Sequence, residues 1–583
     1  MRSFFKIFFA SLLSLIIFAL LFFFIIAAII GGLASKSKPE LAPNSVLVLD
    51  LSKTYAENAQ ASPMNVVSGD GDEPNLHTLI QLIHHAKTDD NIAGIYIQAN
   101  GNANGFGASN EIRQALIDFK RSKKFVIAYG DVLSQQSYFV ASAADKVYLN
   151  PQGYMEWQGL SVTIPFIKGT LDKLEIQPQI FYAGKFKSAT EPLRATQMSP
   201  ENKLQTTIWL SSLYSHMLQS VSQSRKIDTA TLHNLATTVA IQTPADAVSA
   251  KLIDGTRYDD QVRSEMKRIM KLGKYDKLNF VPTATYNDAV SVVKTGKDRI
   301  ALIIAEGTIV DGEGSNENIG AEKYRAIIRK ARLDKNVKAI VLRVNSGGGS
   351  AMASEIIWRE LHLARVEDKK PVIVSFGDVA ASGGYYIACG ADSIFANPNT
   401  LTGSIGVFGI IPNMQSFFNN KLGVTFDEVK TAPYADAGNV VKPLNEKEKE
   451  LVQNSINRIY LQFKQRVSEG RKKDLNYIEE VAQGRVWSGE DALKAGLVDR
   501  LANLDDAIAA AARMAKLTDY GVKQYPESEG WLKNLLNQKK KEPAALIKEQ
   551  IGVEHYKTFQ QVMQIKEMTN SIQARLPFEI ILH

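Results

Sequence analysis

The sequence predicts an α/β fold built twice in succession behind one membrane-spanning helix. Three observations predict it: an unbroken apolar stretch near the amino terminus, a long-period internal repeat through the body of the chain, and short β-branched runs alternating with longer amphipathic segments inside each repeat. At 583 residues the chain exceeds one ordinary core, so two or more domains are required.

The first element is the stretch 8–30, which contains no charged residue and matches the roughly 20 residues that cross a bilayer as a helix. It is longer than the apolar region of a cleaved leader, so it reads as a retained anchor. Arg2 and Lys6 precede it while Lys36 and Lys38 follow, a balance that slightly favours a cytoplasmic residue 1–7 segment. Everything from about residue 40 onward would then lie outside the cytoplasm. In a bacterium with two membranes this means a single-pass protein of the inner membrane with its domains on the periplasmic side.

The repeat follows. Asp131-Val132-Leu133-Ser134-Gln135-Gln136-Ser137-Tyr138 aligns with Asp378-Val379-Ala380-Ala381-Ser382-Gly383-Gly384-Tyr385, and both continue without a gap to Asn-Pro at Asn150-Pro151 and Asn397-Pro398. Upstream, Asp89-Asp90-Asn91 matches Asp334-Lys335-Asn336, and downstream Lys173-Leu174 matches Lys421-Leu422. The first repeat is assigned to 44–295 and the second to 296–525, with the boundary near 294–297. In the second, strands are expected over 300–304, 339–344 and 371–375, with helices over 321–330 and 353–364 between them. Such alternation joins naturally into a mostly parallel sheet through right-handed crossovers. Residues 526–583, with Lys539-Lys540-Lys541 ahead of Pro543, read as a basic helical tail, either a solvated extension or a surface for membrane or partner binding.

Composition excludes several function classes. The net charge of +7 is modest for this length and the basic residues are scattered; no nucleic-acid module, P-loop or zinc-ligand spacing occurs. The single cysteine, Cys389, rules out an intramolecular disulfide and a cysteine-rich metal site, and its small-residue surroundings read as a buried structural thiol. No cofactor is expected.

Two loops could carry chemistry. Arg343-Val344-Asn345-Ser346-Gly347-Gly348-Gly349-Ser350 ends a predicted strand and enters a helix; such glycines serve either a structural turn or a loop whose N–H groups meet an anion. Ala381-Ser382-Gly383-Gly384 has the same setting. Ser382 is there either a helix cap or an exposed nucleophile with the Gly383 N–H aimed at the developing oxyanion. Comparison of the halves favours the nucleophile, because the first repeat has Gln135 in its place and Gly101-Asn102-Ala103-Asn104 in place of the glycines. A serine needs a base. None of the eight histidines falls in the loops near Ser382, and His362 lies within a predicted helix. Lysine can serve when burial keeps it neutral, and Lys187, in Gly184-Lys185-Phe186-Lys187-Ser188, aligns with Ala435 in the second repeat. One half keeps the serine and the other the lysine, as a site shared between the domains requires.

These residues resemble the long form of the signal peptide peptidase A (protease IV) family, peptidase family S49, from the anchor to about residue 525. The motifs are Asn345-Ser346-Gly347-Gly348-Gly349, Ala381-Ser382-Gly383-Gly384-Tyr385-Tyr386, Leu401-Thr402-Gly403-Ser404-Ile405-Gly406-Val407 and Gly184-Lys185-Phe186-Lys187-Ser188. Gly347 departs from the proline frequent in the family at that point. The resemblance implies two tandem ClpP/crotonase-like domains, Ser382 as nucleophile, Lys187 as base, Gly348 and Gly383 as oxyanion donors, and Ser404 as the hydroxyl that orients the lysine. It further implies a homo-tetramer shaped as a dome, and peptide substrates such as released signal peptides and other unfolded hydrophobic peptides. An acyl-CoA enzyme of the crotonase type and a membrane-tethered scaffold with a degenerate site are the alternatives.

Overall fold

The computed structural model describes residues 2–34, 39–58, 72–527 and 572–576. A helix over Arg2–Ala34 opens the chain, with the side chains of Phe8, Leu15 and Phe18 among those exposed along it. Among the described residues no helix is long and apolar enough to cross a membrane. Side chains from residue 23 to the end of this helix, the second part of the expected span, lie outside the described residues.

The first half forms a six-stranded sheet ordered β6-β4-β3-β2-β1-β7, from β1 (Ser45–Asp50), β2 (Ile92–Gln98), β3 (Phe125–Leu133), β4 (Lys146–Met155), β6 (Gly255–Thr256) and β7 (Phe280–Pro282). Every pairing in it is parallel. Strand β5 (Gln177–Ala183) leaves this sheet and joins the second half.

The second half repeats the plan with β8 (Arg299–Glu306), β9 (Thr308–Val310), β10 (Asn318–Gly320), β11 (Val337–Ser346), β12 (Gly348–Ser350), β13 (Val372–Ala381), β14 (Ser393–Ala396), β15 (Leu401–Gly403), β16 (Val407–Asn413), β17 (Val486–Ser488), β18 (Arg500–Leu501) and β19 (Gly521–Tyr525). Its main sheet runs β17-β15-β13-β11-β8-β19, with β14 paired to β13. The central strand β11 is buried on both faces, as a parallel sheet covered by helices requires: Ile340, Leu342 and Val344 enter one core, while Ala339 and Val341 meet the helix Leu504–Met514 on the other side. Full burial of such side chains is worth about 1.5–3 kcal/mol each. A further sheet, β10-β9-β12-β20-β16-β5, contains β20 (Gln573–Arg575).

Matching contacts document the duplication. The Tyr138 hydroxyl donates to the Leu252 carbonyl at 2.5 Å and the Tyr385 hydroxyl to that of Leu497 at 2.9 Å. Asp254 accepts from the Val147 N–H at 2.9 Å, and Asp499 from the Ile394 N–H at 2.7 Å. Between the halves, the buried Arg343 guanidinium on β11 meets Glu57 at 2.6 Å and Glu111 at 2.8 Å, both from the first half.

Two expectations need correction. The strand expected over 371–375 continues to Ala381, through Gly377 and Asp378, because β11 and β15 flank it and supply its pairing. The tail expected to be helical is a strand at Gln573–Arg575, held between β12 and β16; there two waiting strand edges outweigh local propensity. The rest of 528–583 lies outside the described residues.

Candidate active site

Strand β13 delivers Ser382 to a sharp strand-to-helix turn before the helix Gly383–Ala388. Its φ of 54° and ψ of −114° are strained for a residue with a Cβ. Main-chain bonds hold it: its N–H donates to the Gly403 carbonyl, and its carbonyl accepts from the Tyr386 N–H, both at 2.8 Å. Although Ser382 stands at the cap position, its side chain makes no capping hydrogen bond. The hydroxyl is directed elsewhere, 2.7 Å from the Lys187 Nζ.

Lys187 reaches this point because β5 pairs antiparallel with β16 over seven residues, from Ala183 opposite Val407 to Gln177 opposite Asn413. The chain then turns at Gly184 and lies against Gln483 and Gly484, with the Phe186 N–H donating to the Gln483 carbonyl at 2.9 Å. A Cβ on Gly484, whose φ is +77°, would fall 2.6–2.7 Å from the backbone and Cβ of Lys187. That close approach is possible only for glycine, and the sequence reading did not single this residue out.

The Lys187 amine is buried and also stands 3.1 Å from both the carbonyl oxygen and the Oγ of Ser404. Burial drives its pKa well below the ordinary lysine value, since desolvation disfavours the ammonium. A neutral amine has two N–H bonds and one lone pair. Donation to the two Ser404 oxygens leaves the lone pair for the Ser382 hydroxyl.

The glycine loops meet beside this pair. A Cβ on Gly348, at φ +100°, would lie 2.7 Å from the Gly383 nitrogen. The Gly383 N–H opens a helix, where first-turn donors lack intrahelical acceptors. The Gly348 N–H donates to the Ser346 Oγ at 3.1 Å, so an oxyanion there would compete with that hydroxyl. All five predicted site residues thus converge, with Lys187 from the first half and the others from the second.

The corresponding turn of the first half lacks both the apparatus and the strain: Ser134, at φ −66°, caps the helix Gln135–Ala141 in the ordinary way. Gln135 replaces Ser382, accepts from the N–H groups of Gln158 and Gly159 at 2.9 and 2.8 Å, and donates to the Gly159 carbonyl at 2.7 Å. An amide there ties two loops together. His362 is remote from this chemistry and stacks on Trp358 with ring centroids 4.9 Å apart. Cys389 is buried, and burial pushes its thiol pKa up.

Peptidase family S49 matches residues 118–273 and 364–518, together more than half of the chain. Protease 4 of Salmonella typhi is 38% identical over 466 residues, covering 78% of this chain and 74% of its own. Protease 4 of Haemophilus influenzae is 34% identical over 501 residues, covering 82% and 80%. Among solved structures, a mutant of ClpP1 from Listeria monocytogenes is 16% identical with a TM-score of 0.24, covering 36% of this chain and 94% of that one. On the family match and the extent of the likeness to Protease 4, the chain belongs to peptidase family S49 and is a serine protease.

Proposed function

We propose that this protease is a bilayer-anchored endopeptidase that hydrolyses extended hydrophobic peptides, cleaved signal peptides among them, with Ser382 as nucleophile and Lys187 as base. The observation that carries the reading is the 2.7 Å separation of the Ser382 Oγ from a buried lysine amine whose pKa is depressed. Neutral Lys187 takes the hydroxyl proton as Ser382 Oγ bonds to the substrate carbonyl carbon. The oxygen of that carbonyl becomes an oxyanion, held by the N–H groups of Gly348 and Gly383. Collapse breaks the peptide bond, the leaving amine takes the proton from Lys187, and water then hydrolyses the acyl-enzyme by the same route. Ser404 keeps the lysine oriented throughout.

The same reading assigns the units 44–295 and 296–525 to ClpP/crotonase-like domains, the apolar helix to the inner membrane with both domains on the periplasmic side, and the assembly to a homo-tetramer. The exposed apolar side chains of the first helix support the anchor.

Turnover of a hydrophobic fluorogenic peptide tests the mechanism. Ser382→Ala and Lys187→Ala should each lower kcat by about 1,000-fold or more with no loss of thermal stability, and a fluorophosphonate should label Ser382. Substantial turnover by either variant removes that residue from its role.

A further inference from the structure

The run Ser199-Pro200-Glu201 starts a helix over Pro200–Arg225, with the Ser199 hydroxyl capping the Asn202 N–H, proline in the first turn and an acid beside it. Gln205, Trp209 and Leu213 are spaced by four along it and so share one face. That face crosses to the second half. Trp209 and Leu213 pack with Ala381, Leu401 and Val486, beside the serine turn, and the Ser212 hydroxyl donates to that of Ser488 at 2.8 Å. Gln205, one turn before Trp209, is buried as well.

The Gln205 amide reaches toward both members of the pair. Its nitrogen donates to the Phe186 carbonyl at 3.0 Å and to the Ser188 Oγ at 3.1 Å, with the Asn202 Oδ1 farther off at 3.3 Å. Phe186 and Ser188 are the residues on either side of Lys187. The amide oxygen accepts from the Val486 N–H at 3.1 Å. A carbonyl only accepts and a backbone N–H only donates, so these partners fix which end of the amide is which. Val486 stands opposite Gly403 in the pairing of β17 with β15, and the Gly403 carbonyl accepts from the Ser382 N–H at 2.8 Å. With its nitrogen the side chain grips the chain around the lysine; with its oxygen it grips the strand that supports the serine turn. The helix is tied to the lysine segment at its start too, where the buried Glu191 carboxylate accepts from the Ser199 N–H at 3.1 Å and the Asn202 amide at 2.8 Å. Stability requires some partner for each buried main-chain group. Only a partner shared by both segments fixes the distance between them.

We propose that Gln205 is a positioning residue for peptide hydrolysis, whose amide sets the spacing of Lys187 from Ser382 across the seam of the two halves. The inference rests on the Ser382–Lys187 reading and adds a residue that acts through the neighbours of the lysine. Slack in this link lets the amine drift from the hydroxyl, and a misplacement of about 1 Å costs on the order of 100-fold in rate. It also lets water reach the amine, which returns its proton affinity toward that of an exposed lysine.

The test compares the full chain, purified in detergent, with Gln205→Met, which keeps the length of the side chain and loses both hydrogen-bonding ends. Fluorophosphonate titration counts the competent serines, so that kcat for the fluorogenic peptide is expressed per reactive Ser382. Gln205→Met should lower that kcat at least about 30-fold with KM changed less than about twofold, and the acid limb of its pH–kcat profile should move to higher pH. Ser188→Ala, which removes one acceptor, should lower kcat about threefold or more. Ser212→Ala, which removes the neighbouring contact of the same helix with Ser488, should leave kcat unchanged. A Gln205→Met protein with fewer competent serines but wild-type kcat per serine, or with an unmoved acid limb, overturns the positioning role. Where Gln205→Met does not fold, Ser188→Ala decides, and a kcat within about twofold of wild type overturns the assignment. An equal loss in Ser212→Ala also overturns it, because any contact between this helix and β17 would then serve. Substantial turnover by Lys187→Ala instead brings down the Ser382–Lys187 mechanism, and this inference with it.

Discussion

Lys187 meets the Ser382 hydroxyl as a buried amine with no carboxylate among its hydrogen-bond partners, and that environment makes two predictions. Turnover should rise with pH as Lys187 loses its proton, along a limb lying below the ordinary lysine value of 10.5. A pH–kcat profile flat through the acid range would contradict this. Stability responds with a definite sign. The unfolded lysine keeps its proton up to that ordinary value while the folded one releases it earlier, so between the two the unfolded state binds more protons and stability rises with pH. Lys187→Met should remove this dependence and raise the melting temperature at neutral pH while abolishing turnover, as calorimetry can check. Ser404→Ala removes one of the two oxygens that orient the amine. It should lower kcat by up to about 100-fold with little change in KM.

The elements that bring the pair together are β5, β16 and the turn at Gln483–Gly484. Because side chains alternate along a strand, a one-residue slip of β5 against β16 would reverse every side chain between them and carry Lys187 off target. Gly484→Val forces a branched side chain into a left-handed turn pressed against Lys187. It should cost about 1–3 kcal/mol of stability and most of the activity, measured by urea denaturation and peptide turnover. A fully active Gly484→Val protein would show that the close approach is dispensable. At this scale the sequence was legible where chemistry differed between the repeats. Ser382 stood out against Gln135 and Lys187 against Ala435, since a duplicated scaffold exposes what only one copy keeps. Gly484 carried no such contrast. Nor did the run of β13 through Gly377 and Asp378, residue types depleted in strands, since its strand character comes from neighbours distant in sequence. The strand at Gln573–Arg575 was hidden for the same reason: its conformation is set by β12 and β16.

Across the whole molecule the halves are joined by the β5–β16 ladder and by Arg343 between Glu57 and Glu111. Burial pushes the Glu57 carboxyl up, to about 7, against the pull of Arg343. Arg343→Met would leave two carboxylates facing each other in the interior. It should destabilise the fold by about 3–5 kcal/mol, read from the denaturation midpoint, and activity should fall with it because the seam holds the Ser382–Lys187 pair proposed to carry it. A midpoint unchanged by Arg343→Met would show that the halves hold together without this contact. The division of labour across that seam also bears on synthesis. A ribosome makes the lysine early and the serine some two hundred residues later, so on the proposed mechanism a nascent or prematurely terminated chain carries half a reagent. By the same proposal no fragment that stops short of the second half can attack its neighbours, and hydrolytic competence arrives only when the two copies have docked.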